Sequence, residues 1–238
     1  MLRALLTDVD GTLTDPSRRI NTAAIGAIRS LLDQGVEVVF ASGNTACFMD
    51  ALCKMLGTRG SFIAENGGVF RVGYTGTLHV KGDQAVCKKA LEMVQSHYRK
   101  RGIELELYSP SYRFADIAFA RTVPVSEVTT LLTGHPIQVL DTGFAIHLQS
   151  QGVNKGTALA ALAPEMGLTP SDFLAIGDSV NDIPMLATAG IGVTVANAHP
   201  EVKAAATYVT EKEYGEGFVE AVKKYVPYFR AMKRSTTI

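Results

Sequence analysis

Apolar positions recur along the chain in two rhythms, short continuous runs and helical stripes. Leu2-Arg3-Ala4-Leu5-Leu6-Thr7 is a short run closed by a glycine turn, the pattern of a buried strand. Asn21 can cap a helix in which Ile25, Ile28, Leu31 and Leu32 share one face, and Gly35 supplies its stop. Residues 36–40 read as a second strand, 44–56 as a helix, and 62–64 as a third strand. Asn66-Gly67 signals a tight turn into 69–71. The rhythm then changes: a helix over 83–101, strands over 104–108 and 115–120, a short helix over 126–132 capped by Ser126, and strands over 137–140 and 144–149. The first rhythm returns with a helix from Lys155 to about Met166, a strand over 173–176, a short helix over 183–187 and a strand over 191–195. Tyr208-Val209 and a last helix from about Phe218 complete the chain.

Strand, helix, strand, helix, strand is the signature of a parallel sheet covered on both faces, so the expected class is α/β with a Rossmann-like parallel-sheet core. The middle stretch reads as a smaller α+β unit inserted into that core. Gly73, Gly76 and Gly82 mark the way out and Gln151-Gly152-Val153-Asn154 the way back. The expected boundaries are 1–81 and 152–238 for the core and 82–151 for the insert.

Composition narrows the choice of partner. The chain has 238 residues, of which 47% are hydrophobic and 19% charged, as in an ordinary globular protein with a real core. Its formal net charge is zero, so neither nucleic acid nor an anionic membrane is an expected partner. Arg230, Lys233 and Arg234 at the C-terminus read as a solvated tail. Cys47, Cys53 and Cys87 lack metal-ligand spacing and suggest free thiols in a reducing compartment. No signal pattern and no apolar stretch of about 18 residues is evident, which makes the expected location cytoplasmic.

The candidate chemistry sits at strand ends. Asp8-Val9-Asp10-Gly11-Thr12 follows the first strand, and in open α/β sheets ligands bind at that edge. Like charges so close need a cation, a proton or a reacting ligand. Ser42-Gly43 follows the second strand, where a helix N-terminus and a hydroxyl can hold an anion; a plain helix cap explains that stretch equally well. Asp178 and Asp182 follow the strand over 173–176, and Lys155 opens a helix. Asp8, Asp10 and Asp178 make an oxygen-rich set that suits magnesium, while the histidines are scattered and argue against zinc. His147 alternates with apolar neighbours and reads as a satisfied or exposed histidine.

Asp8-Val9-Asp10-Gly11-Thr12, Ser42, Lys155 and Gly177-Asp178-x-x-Asn181-Asp182 resemble, in order and spacing, the four motifs of the haloacid dehalogenase superfamily of phosphohydrolases. Glu65-Asn66-Gly67 and Ala196-Asn197-Ala198 resemble further signatures of its sugar-phosphatase-like branch, and the insert resembles that branch's α/β cap domain. Cap size and length are most similar to the archaeal phosphoglycolate phosphatases. The resemblance implies a nucleophile at Asp8 and a general acid/base at Asp10. It implies a magnesium site from Asp8, Asp178 and the Asp10 carbonyl, with Asp182 as a further candidate ligand. Phosphoryl contacts would come from Ser42, Gly43 and Lys155, with Asn181 and Asp182 orienting Lys155 or the metal's water. Arg113, in a loop of the insert, is the candidate for a substrate carboxylate, which a guanidinium matches with two hydrogen bonds. The expected partner is a small phosphorylated metabolite, 2-phosphoglycolate foremost; a homodimer is compatible with it. A sugar phosphatase or a phosphomutase would use the same motifs. A non-catalytic magnesium- and phosphate-binding module would leave Asp10 and Lys155 without a purpose.

Overall fold

The computed structural model describes residues 1–231. Its elements, in chain order, begin with β1 (Ala4–Thr7), α1 (Thr22–Asp33), β2 (Glu37–Ala41), α2 (Ala46–Leu56) and β3 (Phe62–Ala64). They continue with β4 (Val69–Arg71), β5 (His79–Val80), α3 (Gln84–Arg99), β6 (Asp116–Phe119), α4 (Val125–Leu131), β7 (Ile137–Asp141) and β8 (Ile146–Ser150). The last third holds α5 (Lys155–Glu165), β9 (Phe173–Gly177), α6 (Ile183–Thr188), β10 (Ile191–Thr194), α7 (Pro200–Ala205), β11 (Tyr208–Val209) and α8 (Tyr214–Tyr225).

Eight strands form one sheet in the order β11-β10-β9-β1-β2-β3-β4-β5, and β6-β8-β7 form a second. The large sheet is parallel from β11 to β3, and β4 and β5 run antiparallel at one edge. Its strands read as continuous apolar runs because both faces are covered. Leu5, Val38 and Phe40 point into a core with α1, α2 and α8. Ala4, Leu6, Val39 and Ala41 point to the opposite core, with α5, α6 and α7. The small sheet is antiparallel and has its own core, formed with Cys87, Leu91 and Val94 of α3 and Val128 of α4.

β1 lies between β2 and β9, with Leu5 opposite Val38 on one side and Leu174 on the other. The order in which strands are added across the sheet reverses there, to β2 and β3 on one side and β9 to β11 on the other, and such a switch point opens a crevice beyond the carboxyl ends of the strands.

Several elements depart from the sequence pattern. Residues 104–108 do not form a full strand: one bridge joins Leu107 to Phe119 before Ser109, at φ 52, and Pro110 turn the chain away. Ser126 does not cap α4; Pro124 starts the helix and Ser126 falls inside its first turn. α8 begins at Tyr214 rather than Phe218, and includes Gly215 and Gly217 in its first turn. A Cβ on Gly215 would sit 2.2 Å from that of Asn21, so the glycine is there for close packing. The short β5 and α7 carry too little periodicity to have been legible. The three cysteines are free. Arg230 is exposed, whereas Lys233 and Arg234 lie outside the described residues.

Candidate active site

Each polar group of interest sits at the carboxyl end of a strand or the start of a helix. Asp8 follows β1, Ser42 follows β2, Asp178 follows β9, and Lys155 is the first residue of α5. Gly11 lets them converge. Its φ is +86°, and a Cβ there would lie 2.5 Å from Asp178 Oδ2, so only glycine allows the Asp8 loop to meet the Asp178 loop. Thr12 Oγ1 then donates to Asp178 Oδ1 at 2.9 Å. A second close approach is at Gly67, where a Cβ would lie 2.2 Å from the Asn154 carbonyl oxygen at the start of α5.

Lys155 is 0% exposed. Its Nζ donates to Asp8 Oδ1 at 2.5 Å and to Asp182 Oδ1 at 2.6 Å. Asp182 Oδ2 accepts from the Asp178 and Ser179 backbone N–H groups, so both of its oxygens are engaged. Asp182 therefore orients Lys155 and the loop after β9. Asn181 makes no hydrogen bond to Lys155; its Nδ2 donates to Asn66 Oδ1 at 2.9 Å. Asp10 lies in the cavity and accepts from Asn44 Nδ2 at 2.8 Å. That partner was invisible in the sequence, where Asn44 read only as part of a turn. Ser42 Oγ accepts from the Asn44 N–H at 3.1 Å and from Asn44 Nδ2 at 3.0 Å.

The carboxylates of Asp8, Asp178 and Asp182 thus share one ammonium. Burial, then the charge of Asp182, holds the Asp8 carboxyl well above the ordinary carboxylate range. Burial and Asp182 likewise push Asp178 up to about 7. Lys155 goes up as well, because Asp182 and Asp8 outweigh the lowering effect of its burial. One lysine does not offset so much buried negative charge, and oxygens of Asp8, Asp178 and Asp182 lie within 4.8 Å of one another. An oxygen-rich set without His or Cys fits a hard divalent cation such as magnesium. With Asp182 engaged by Lys155 and two N–H groups, Asp8 and Asp178 are the side chains best placed to hold it.

A cavity of about 460 Å³ opens above these groups. Its floor includes Asp8, Asp10, Ser42, Gly43 and Asn181, and its roof includes Tyr108, Arg113, Thr142, Phe144 and His147. The roof is tied to the floor. The Glu65 carboxylate, just after β3, accepts the backbone N–H groups of Phe114, Ala115 and Asp116, at 2.8 Å for Ala115. Burial foremost, then the charge of Asp116, pushes Glu65 up to about 7 against those bonds. Gln149 Nε2 donates to the Glu65 and Asn66 carbonyls.

Arg113 lines the cavity, but its side chain is only 6% exposed and all its nitrogens already donate. Nε donates to the Tyr108 carbonyl, Nη1 to Asp116 and to the Gly43 carbonyl, and Nη2 to the Gly43 carbonyl. The guanidinium expected to face a substrate carboxylate instead braces the roof to the Ser42–Gly43 loop. His147, read from sequence as satisfied or exposed, is buried on β8, with Nδ1 bonded to Asp116 Oδ2 at 2.9 Å. Arg18 and Phe144, which sequence reasoning missed, meet across the cavity mouth with the guanidinium 4.9 Å from the ring centre.

A switch-point crevice carrying two aspartates one residue apart, a serine, a buried lysine and a distal aspartate defines a phosphohydrolase-type site. The chain belongs to the haloacid dehalogenase-like hydrolases, whose family model matches residues 5–121 and 132–222. A relative from Methanoculleus marisnigri named phosphoglycolate phosphatase is 60% identical, over 96% of this chain and 98% of the relative. One of the same name from Methanospirillum hungatei is 50% identical over 97% of this chain and 100% of its own length. A crystal structure from Thermoplasma acidophilum superposes with a TM-score of 0.84 at 30% identity, covering 95% of this chain and 99% of that one. No helix among the described residues is long and apolar enough to cross a membrane.

Proposed function

We propose that the chain is a magnesium-dependent phosphomonoester hydrolase that prefers 2-phosphoglycolate, with Asp8 as nucleophile and Asp10 as general acid and base. The observation that carries this reading is the convergence of Asp8, Asp10 and Ser42 on one cavity, with buried Lys155 bonded to Asp8. The names of the archaeal relatives support the substrate.

In the first step an Asp8 oxygen bonds to phosphorus as the ester P–O bond breaks, and Asp10 gives its proton to the leaving oxygen. In the second step Asp10 takes a proton from water, the resulting oxygen attacks phosphorus, and the bond to Asp8 breaks to release phosphate. Lys155 stabilises negative charge at Asp8 and the phosphoryl oxygens, and Ser42 and the Gly43 loop hold those oxygens. Asn44 keeps the Asp10 carboxyl directed into the cavity through its 2.8 Å bond. Asp8, Asp178 and the Asp10 carbonyl would hold magnesium, which would offset the repulsion between a carboxylate and a phosphate dianion. Residues 82–151 act as a cap that closes over the site and shields the first transfer, to Asp8, from bulk water. The cytoplasm is the proposed location.

Phosphate release from a panel of monoesters with magnesium tests the reading. The highest kcat/KM is expected for 2-phosphoglycolate. A sugar phosphate ahead of it by about tenfold would overturn the substrate and leave the hydrolase.

A further inference from the structure

The cavity has three cationic or potentially cationic side chains in its walls, Arg18, Arg113 and His147. They are not equally available to a ligand. Every nitrogen of Arg113 is already engaged by Asp116 or by carbonyls. Arg18 is exposed at the mouth, with its guanidinium over the Phe144 ring.

His147 differs from both. It is 4% exposed, and its ring is fixed from behind by Asp116, itself 0% exposed. Asp116 is shared: one oxygen takes the His147 bond at 2.9 Å and the other the Arg113 bond at 2.6 Å. Burial pushes the Asp116 carboxyl upward, but His147 and Arg113 outweigh it and the net direction is down. An ionised carboxylate only accepts, so the Nδ1 of His147 carries the proton between them. Nε2 then has no protein partner among the described residues, and the ring lines the same cavity as Asp8 and Ser42.

We infer that His147 Nε2 is the atom that receives the carboxylate of the substrate, at the cap end of the cavity and opposite the phosphoryl group. The inference rests on the phosphoglycolate reading above. A carboxylate oxygen is a pure acceptor, so the nitrogen facing it must hold a proton. His147 then stands between two carboxylates, Asp116 behind and the substrate in front, with one ring nitrogen turned to each. Arg113 pairs with the other oxygen of Asp116 and offsets its charge, so the carboxylate behind the ring does not repel a substrate carboxylate in front of it. An ester that ends in a methyl group offers Nε2 nothing and gains nothing from it.

Two variants separate recognition from support. His147→Asn keeps an N–H where Nδ1 lies, and so keeps the bond to Asp116, but removes the cavity-facing nitrogen. His147→Gln keeps an amide on the cavity side and gives up the bond to Asp116. Steady-state phosphate release with magnesium is measured on 2-phosphoglycolate and on ethyl phosphate, alongside thermal unfolding. For His147→Asn we expect wild-type melting, a KM for 2-phosphoglycolate raised by about tenfold or more with little change in kcat, and an ethyl phosphate kcat/KM within about threefold of wild type. For His147→Gln we expect a smaller rise in KM and a lower melting temperature. A folded His147→Asn variant with its 2-phosphoglycolate KM within about twofold of wild type, or with equal losses on both esters, overturns the assignment. If the Asn variant does not fold, His147→Gln with an unchanged KM overturns it. The wild-type rows report separately on the underlying reading: if wild type shows no preference for 2-phosphoglycolate over ethyl phosphate, both that reading and this assignment fall.

Discussion

Replacing Lys155 by Met isolates the cost of the buried charges at the centre of the site. Met roughly matches lysine in length and carries no charge. Lys155 is fully buried and reaches Asp8 at 2.5 Å and Asp182 at 2.6 Å. Its loss leaves carboxylates inside the protein without their cation. Breaking a buried pair by removing one partner costs about 3–5 kcal/mol. That is a third or more of the total stability of many domains, about 5–15 kcal/mol. For a chain of this length each kcal/mol moves the melting temperature by about 2–4 °C, so the variant should melt roughly 6–20 °C lower. The deficit should depend on pH. Lys155 is held above its ordinary 10.5, so in wild type its contribution is complete in neutral solution and lost only at strongly alkaline pH. In the variant, Asp8 loses the one cation that opposes its upward shift from 3.8. A carboxyl raised in the folded state costs more stability as pH climbs from its unfolded value through its folded one. The variant should therefore lose less at about pH 5 than at about pH 8. Thermal unfolding followed by circular dichroism in EDTA, at both pH values, measures this. Equal deficits at the two values, or a deficit below about 1 kcal/mol, would refute the argument that Lys155 holds the site together by charge.

Four further outcomes can be checked together. Asp8→Asn should keep the wild-type melting temperature and lose turnover, because an amide is not a useful nucleophile for phosphorus; retention of more than about a few per cent of phosphate release would move the nucleophile elsewhere. Asp10→Asn should be most damaging for alkyl phosphates, whose leaving oxygens need a proton, and comparable damage on an aryl phosphate would argue against the acid role. Chelation by EDTA should abolish phosphate release and magnesium should restore it, while calcium, with its larger and looser shell, should inhibit; full activity after chelation or rescue by zinc alone would count against the magnesium site. Gly11→Ala, at φ +86° and with its Cβ 2.5 Å from Asp178 Oδ2, should weaken magnesium binding by displacing Asp178, raising the magnesium concentration needed for half-maximal activity, and cost about 1–2 kcal/mol of backbone strain; an unchanged magnesium titration would contradict it.

The large sheet was legible because its strands are buried on both faces and therefore read as unbroken apolar runs. Asp8 and Asp10 were legible because they follow such a run into a glycine turn. Lys155 was not legible by itself. A lysine at a helix start is usually solvated, and the partners that bury it lie 147 and 27 positions away. Glu65 stood out only through family likeness, and the backbone it clasps lies about 50 positions further on, at 114–116. Arg113 is a different case: the sequence shows a guanidinium suited to a carboxylate, but not that Asp116, three residues away, is a carboxylate it meets within the chain. Asn66-Gly67 announced the turn into β4, whereas β5 escaped the pattern because a strand of two residues carries no measurable period.

The place of β1 in the sheet constrains how the chain can be made. Its residues pair with 37–40 on one side and with 173–176 on the other. During synthesis from the N-terminus, β1, β2 and β3 leave the ribosome long before β9 does. One edge of β1 must wait, with its backbone groups unpaired, while the whole insert is translated. The insert has no such delay, since β6, β7 and β8 pair with one another and, by a single bridge, with Leu107 of the same stretch. Nascent chains should therefore pass through a stage with a finished insert and an open, apolar strand edge in the core, the kind of surface that chaperones cover and that aggregates when they do not. Asp178 arrives with β9, so the same event that closes that edge also completes the acidic cluster.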